Sequence, residues 1–289
     1  MRRLLLSSMM TACVGLTAFA QKDIGSMVLV EGGPFRNTNS TYYGKGITVP
    51  SFYIGKYEVT QKEWVEIMGT NPSRFKGDDL PVEMVTWYEC IEYCNKRSIK
   101  EGLEPYYNID KATKDPNNTN DADQIKWTVT INPGANGYRL PTEVEWEYAA
   151  SGGQLSKNYV YSGSDELDTV GWYYANSGDE SLKNVPWFWP RIERNRCRTR
   201  PVGSKAPNEL GLYDMSGNVR EFCWDWYADP AAAGKESLHG LTGPAKGALR
   251  VWKGGGWMGV DFPCEIRFRG GYEPFFRAPD QGFRVCRNK

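Results

Sequence analysis

Two stretches of this chain hold residues whose types and spacing could do chemistry. "GGGWMGVDFPC", Gly254 to Cys264, sets a thiol beside a glycine run, where it could be a nucleophile, a metal ligand or half of a disulfide. "GLYDMSGNVREFCWDWY", Gly211 to Tyr227, brackets a glycine turn with Asp214 and Glu221. Two hard carboxylates with free backbone carbonyls between them suit calcium, which accepts flexible oxygen geometry. Taken alone, the same pattern more often serves a cap or a salt bridge. Imidazole chemistry has little room, because His239 is the only histidine in 289 residues. That removes most Ser-His-Asp triads, two-histidine zinc sites and the facial iron triad.

Composition narrows the field further. Lysine plus arginine equals aspartate plus glutamate at 35 each, so no basic excess draws the chain to nucleic acid. The local basic run from Arg191 to Arg200 reads as solvated surface. Glycine at 31 and tryptophan at 11 point to a loop-rich chain with bulky aromatics in its core. "MRRLLLSSMMTACVGLTAFA", residues 1–20, has a basic start, a short apolar run and a small-x-small end, the pattern of a signal peptide cleaved before Gln21. Cys13 could mark a lipoprotein site, but Met10 stands where leucine is usual and the following residues stay apolar, so ordinary cleavage is expected. No other segment reaches membrane-spanning length. The expected product is one domain, 21–289, in the periplasm or secreted. Its six cysteines, an even number in an exported chain, favour disulfides.

The elements that must position these residues announce themselves locally. "MVLVEGGPF" and "FYIGKYEVT" read as strands. Thr60 with Glu63, Thr86 with Glu89, and Thr142 with Glu145 each form a Thr-x-x-Glu capping box, which predicts helices over 61–68, 87–99 and 143–150. In the second helix Trp87, Cys90, Ile91 and Cys94 share one face, so both thiols are expected in the core. Lys111 to Gln124 is polar and reads as a surface excursion. "PWFWPRIERNRCRTR", Pro186 to Arg200, could present a solvent-facing aromatic platform or fold back as core; the residues leave both open.

"MSGNVREFCWDWY" resembles the signature of the formylglycine-generating enzymes, or sulfatase-modifying factors. So do "MVLVEGGPF", "FYIGKYEVTQKEW", "PVEMVTWYECIEYCNKRS", "YRLPTEVEWEYAA", "RVWKGGGW" and "GFRV", in family order from about Met27 to Arg287. The resemblance implies an α+β fold, a C-type-lectin-like variant with few regular elements, often stabilised by calcium. It also implies what an oxidase of the family would need: two copper-binding cysteines five residues apart, soon after Gly-Gly-Ser, acting on a sulfatase Cys-x-Pro-x-Arg motif. Here Gly256 stands for the serine. Counted from the glycines, the copper positions fall on Gly259 and Cys264. Counted back from Arg269 and Pro274, they fall near Asp261 and upstream of it. Neither register supplies a thiol pair, and a single thiolate leaves copper(I) without its partner.

Three further expectations come with the resemblance. A calcium site falls on Asp214 and Glu221 side chains with carbonyls at Gly217 and Val219. A second would begin at Asn176 and Ser177, but its acidic ligand falls near Arg194, so one calcium is expected and copper is not. Cys223–Cys264 and Cys197–Cys286 are the implied disulfides. The function expected is a non-catalytic, calcium-held binding or assembly module for a protein or glycan ligand in the cell envelope, a sulfatase among the candidates. The groove expected for that ligand lies near Trp257 and Phe275-Phe276. The alternative is a copper-dependent formylglycine-generating oxidase in which Cys264 is catalytic.

Overall fold

The computed structural model describes residues 26–228 and 242–289; the signal segment with Cys13, and His239, lie outside them. Its strands are short because the chain spends its length on turns. The N- and C-terminal strands share one antiparallel sheet: β1 (Met27–Val30), then β4 (Phe52–Gly55), then β11 (Cys286–Asn288), with Val30 opposite Phe52 and Cys286 opposite Ile54. The two-stranded ribbon β2 (Gly33–Pro34) and β3 (Thr48–Val49) precedes β4. A second sheet has the order β10 (Gln281–Gly282), β7 (Arg220–Trp226), β8 (Arg250–Lys253), β9 (Gly270–Tyr272), with β10 parallel to β7 and the rest antiparallel. The hairpin β5 (Tyr107–Lys114) and β6 (Trp127–Ile131) stands apart as a two-stranded ribbon.

Helices α1 (Gln61–Met68), α2 (Trp87–Lys100) and α3 (Glu143–Ala150) start where the capping boxes predict, with Thr60, Thr86 and Thr142 each accepting from the third amide and each glutamate reaching back. Cys90 and Cys94 are fully buried on α2, as their spacing predicts. α3 is buried all round, with Glu143, Glu145 and Glu147 among its buried residues, so its charges need partners. They have them. Arg139 meets Glu145 through two 2.7 Å bonds, Lys253 meets Glu147 at 2.8 Å, and Arg269 holds Glu143. These pairs join α3 to β8 and to the chain ahead of β9.

The short α4 (Leu167–Val170) and α5 (Trp189–Arg194) flank the polar middle of the chain. The Lys111–Gln124 excursion is less free than its composition suggests, because buried Asp123 accepts from Tyr88 Oη of α2 at 2.6 Å and from Asn118 Nδ2 at 2.7 Å. Among the described residues no helix is long and apolar enough to cross a membrane.

Candidate functional site

The glycine-rich loop leaves β8 with Gly254 and Gly255 at positive φ, 87° and 69°. A Cβ on Gly255 would fall 2.6 Å from Cys264 Sγ and 3.0 Å from the Cys264 amide nitrogen, so this glycine exists to let the cysteine pack against backbone. Cys264 ends a 3-10 turn, Phe262–Cys264, and is fully buried. Its carbonyl accepts from Ser216 Oγ at 2.8 Å, and the nearest polar partner of its sulfur is the Val260 carbonyl, 3.9 Å away. Burial pushes the thiol up to about 12. Such a thiol stays protonated at neutral pH, and the thiolate is the form that attacks or binds metal.

The expected disulfides are not made: all six described cysteines are free and buried. Cys223 and Cys286 belong to the core around Trp146 and Val251, whereas Cys264 and Cys197 belong to the cluster around Trp257. Each expected pair is thus split between two packing clusters, and each thiol fills space as a small hydrophobe.

The carboxylates of the "MSGNVRE" turn converge on one place. Asp214, at φ 57°, accepts from the Gly203 amide at 2.7 Å through Oδ2, while Oδ1 is buried without a hydrogen-bond partner. Glu221 Oε1 and Oε2 each receive a 2.6 Å bond from buried Arg284, and Trp146 Nε1 adds another to Oε2 at 2.6 Å. The sequence reading missed Glu58, which is fully buried, accepts from Val219 N at 2.9 Å and Asn218 Nδ2 at 2.7 Å, and feels the charge of both other acids. Burial, then the Asp214 and Glu221 charges, hold Glu58 well above the usual carboxylate range; burial likewise raises Asp214 to about 6.

With Glu58 held toward its neutral form and Glu221 paired to Arg284, the charge left without a cationic partner is that of Asp214, whose Oδ1 is bare. Glu221 fits less well than the sequence suggests, since both its oxygens are spent on Arg284. Among the described residues no three carboxylate, thiol or imidazole groups converge as metal ligands. Of the two expected side-chain ligands, that leaves Asp214 alone with a free carboxylate oxygen. At Asn176 and Ser177, where no second calcium is expected, Asn176 Nδ2 bonds Asp168 at 3.1 Å and Ser177 Oγ bonds the Trp257 carbonyl at 2.8 Å.

Beside the glycine loop, Arg220 lies over the rings of Trp252 and Tyr272, 4.7 and 5.5 Å from their centroids, and its Nη1 stands 2.7 Å from buried Asp280. Neither Asp280 oxygen makes a well-directed hydrogen bond. A Cβ on Gly256 would come 2.9 Å from Asp280 Oδ2, so a serine there would collide unless Asp280 moved. No local pattern in the sequence marks this group, because its members come from three separate strands and loops. The Pro186–Arg200 stretch does both things its residues left open. Trp189 packs on Trp257 at 6.4 Å, while Trp187 and Phe188 stay 48% and 56% exposed, Trp187 donating to the Met258 carbonyl at 2.8 Å.

Comparison with known proteins agrees with this reading of the fold. The chain is 52% identical to the chaperone protein LppX of Paenibacillus barcinonensis, over the whole of both chains. It is 36% identical to the formylglycine-generating enzyme of Streptomyces coelicolor over 155 residues, 53% of this chain and 47% of that enzyme. Among solved structures, Treponema denticola variable protein 1 superposes with a TM-score of 0.71 at 34% identity, covering 91% of this chain and 95% of that one. Residues 15–289 match the sulfatase-modifying factor enzyme 1-like domain. The chain therefore belongs to the sulfatase-modifying factor family and has its α+β, C-type-lectin-like fold.

Proposed function

We propose that this protein is an exported, non-oxidase member of its family, a binding module of chaperone type that holds a protein client in the cell envelope. The observation that carries the reading is the setting of Cys264: fully buried, which pushes its thiol up to about 12, and without a second thiol at Gly259 or Asp261. Full-length likeness to a protein called a chaperone supports the client half of it. The expected result with a Cys-x-Pro-x-Arg peptide, copper and oxygen is no formylglycine by mass spectrometry while a family oxidase converts the same peptide. Conversion that disappears in Cys264→Ser would overturn the reading and make this an oxidase.

Calcium belongs to the same proposal. Held by Asp214 with the carbonyls of Gly217 and Val219, and with Glu221 behind them, it would neutralise buried charge and fasten the turn that feeds β7. Saturation at about a hundred times the dissociation constant contributes about 2.7 kcal/mol, which for a chain of this size raises Tm by about 5–10 °C. Chelation should remove that rise, and Asp214→Ala should be insensitive to calcium. An equal calcium response in Asp214→Ala would move the ion elsewhere.

A further inference from the structure

Two cavities of 380 Å³ each lie on either side of Trp224 and share it and Thr242 as wall. Strand β6 borders both. Thr128, Val129 and Thr130 all line one cavity and Ile131 lines the other. Side chains on one face of a strand alternate, so consecutive residues bordering one space place that space along the strand's edge. β5 occupies the opposite edge, and among the described residues β6 pairs with no other strand. The ladder also fixes which amides face outward. Asn132 N donates to the Tyr106 carbonyl at 2.8 Å, so by antiparallel alternation the amides of Thr130 and Thr128 point to β5. Those of Val129 and Ile131 point into the cleft.

The floor of the first cavity is Arg250. Its guanidinium is buried between the rings of Trp87 and Trp226, 3.7 and 3.4 Å from their centroids, with Trp224 at 5.3 Å. Nη1 donates to the Trp224 carbonyl at 2.6 Å, but Nε has no partner, and among the described residues no carboxylate forms an ion pair with it. The other buried basic side chains, such as Arg139, Lys253 and Arg284, each have one. A buried cation without its counter-ion is unfavourable, so this site wants an anion. Asp115 borders the cavity and its charge, with that of Asp225, reaches Arg250, but neither carboxylate comes within ion-pair distance of the guanidinium. The lining is mixed: Phe52, Tyr106 and Leu140 stand with Thr142, Asn288 and Lys289 in the second cavity, and Trp226 and Pro244 with Asn117 and Thr130 in the first.

We propose that this cleft binds an acidic polypeptide segment in extended form, which adds as a strand to the free edge of β6 and places a carboxylate on Arg250. Main-chain bonds to Val129 and Ile131 supply affinity that tolerates sequence, and the buried guanidinium supplies the selection for an acid. The inference rests on the client-binding reading above and names where that client docks.

The test is fluorescence anisotropy with a labelled decapeptide of alternating valine and threonine carrying one central glutamate, beside its glutamine twin. The full mature chain should bind the glutamate peptide at least tenfold more tightly than the glutamine peptide. Val129→Pro removes one outward amide and leaves the β5 ladder intact, since proline is tolerated on an open edge; it should weaken binding at least tenfold, whereas Val129→Ala, which loses the same core packing but keeps the amide, should bind like wild type. Arg250→Met, which removes the charge, should erase the preference between the two peptides. Equal binding of both peptides with Val129→Pro unaffected would overturn the proposal, as would binding of a glucuronate oligosaccharide that Val129→Pro does not disturb. Client refolding measured with the same Val129→Pro protein separates the two levels. Full activity there sinks this cleft and leaves the chaperone reading standing, whereas no activity even in the wild-type chain sinks that reading.

Discussion

Arg284→Met is expected to remove most of the folded protein. The side chain is wholly buried and spends its guanidinium on four bonds: two of 2.6 Å to Glu221, one of 3.0 Å from Nη1 to the Gly55 carbonyl, and one of 2.9 Å from Nη2 to the Tyr213 carbonyl. It therefore bolts the end of β4 to β7 and to the turn that carries Asp214. Methionine fills the volume but leaves Glu221, Glu58 and Asp214 buried with no cation and two carbonyls without donors. Breaking one partner of a buried pair costs about 3–5 kcal/mol, a large part of the roughly 5–15 kcal/mol that holds a domain together. Tm should fall by about 10 °C or more. Arg284→Met with Glu221→Gln should recover part of the loss, because the double change removes the stranded charge. A single variant that melts within about 2 °C of wild type by calorimetry would refute this account of the turn.

What was legible in the sequence is what neighbouring residues decide among themselves. Thr60, Thr86 and Thr142 each meet a glutamate three positions on, and the three helices begin at the next residue in each case. The Trp87–Cys94 stripe is likewise a local periodicity, and it is buried. What the site consists of is decided across the chain. Glu221 looks like a calcium ligand until Arg284, 63 residues later, is folded against it. Glu58 lies 161 residues from the Val219 amide that it accepts from, and nothing around it in "KYEVT" marks it as buried. The disulfide expectation failed for a related reason. It weighed compartment and parity, whereas packing assigned Cys223 and Cys264 to different clusters. Family resemblance reached further than propensity because it encodes those distant meetings, but it could not supply the free edge of β6 or the unmatched Arg250.

Asp225→Asn should change how stability depends on pH. Asp225 lies under the first turn of α3, where its Oδ2 accepts from the Glu143 amide at 2.8 Å. A helix N-terminus ordinarily lowers a carboxyl. Here burial opposes that, the charge of Glu143 adds to the opposition, and together they hold the group up to about 8. The unfolded chain releases this proton near the ordinary value of about 4. Between those limits the folded state binds a proton that the unfolded state lacks, so stability is full below pH about 4 and falls as pH rises through about 8. Asparagine keeps an oxygen for the Glu143 amide and never ionises. The two proteins should therefore melt together near pH 4–5, and the variant should be more stable by on the order of 3 kcal/mol above pH 8. In Tm that is about 6–12 °C, read by thermal melts in matched buffers. Parallel curves from pH 4.5 to 8.5, bounds set from the same about 4 and about 8 limits, would show Asp225 ionising as an ordinary carboxylate and would require a nearer cation than Arg250 to explain it.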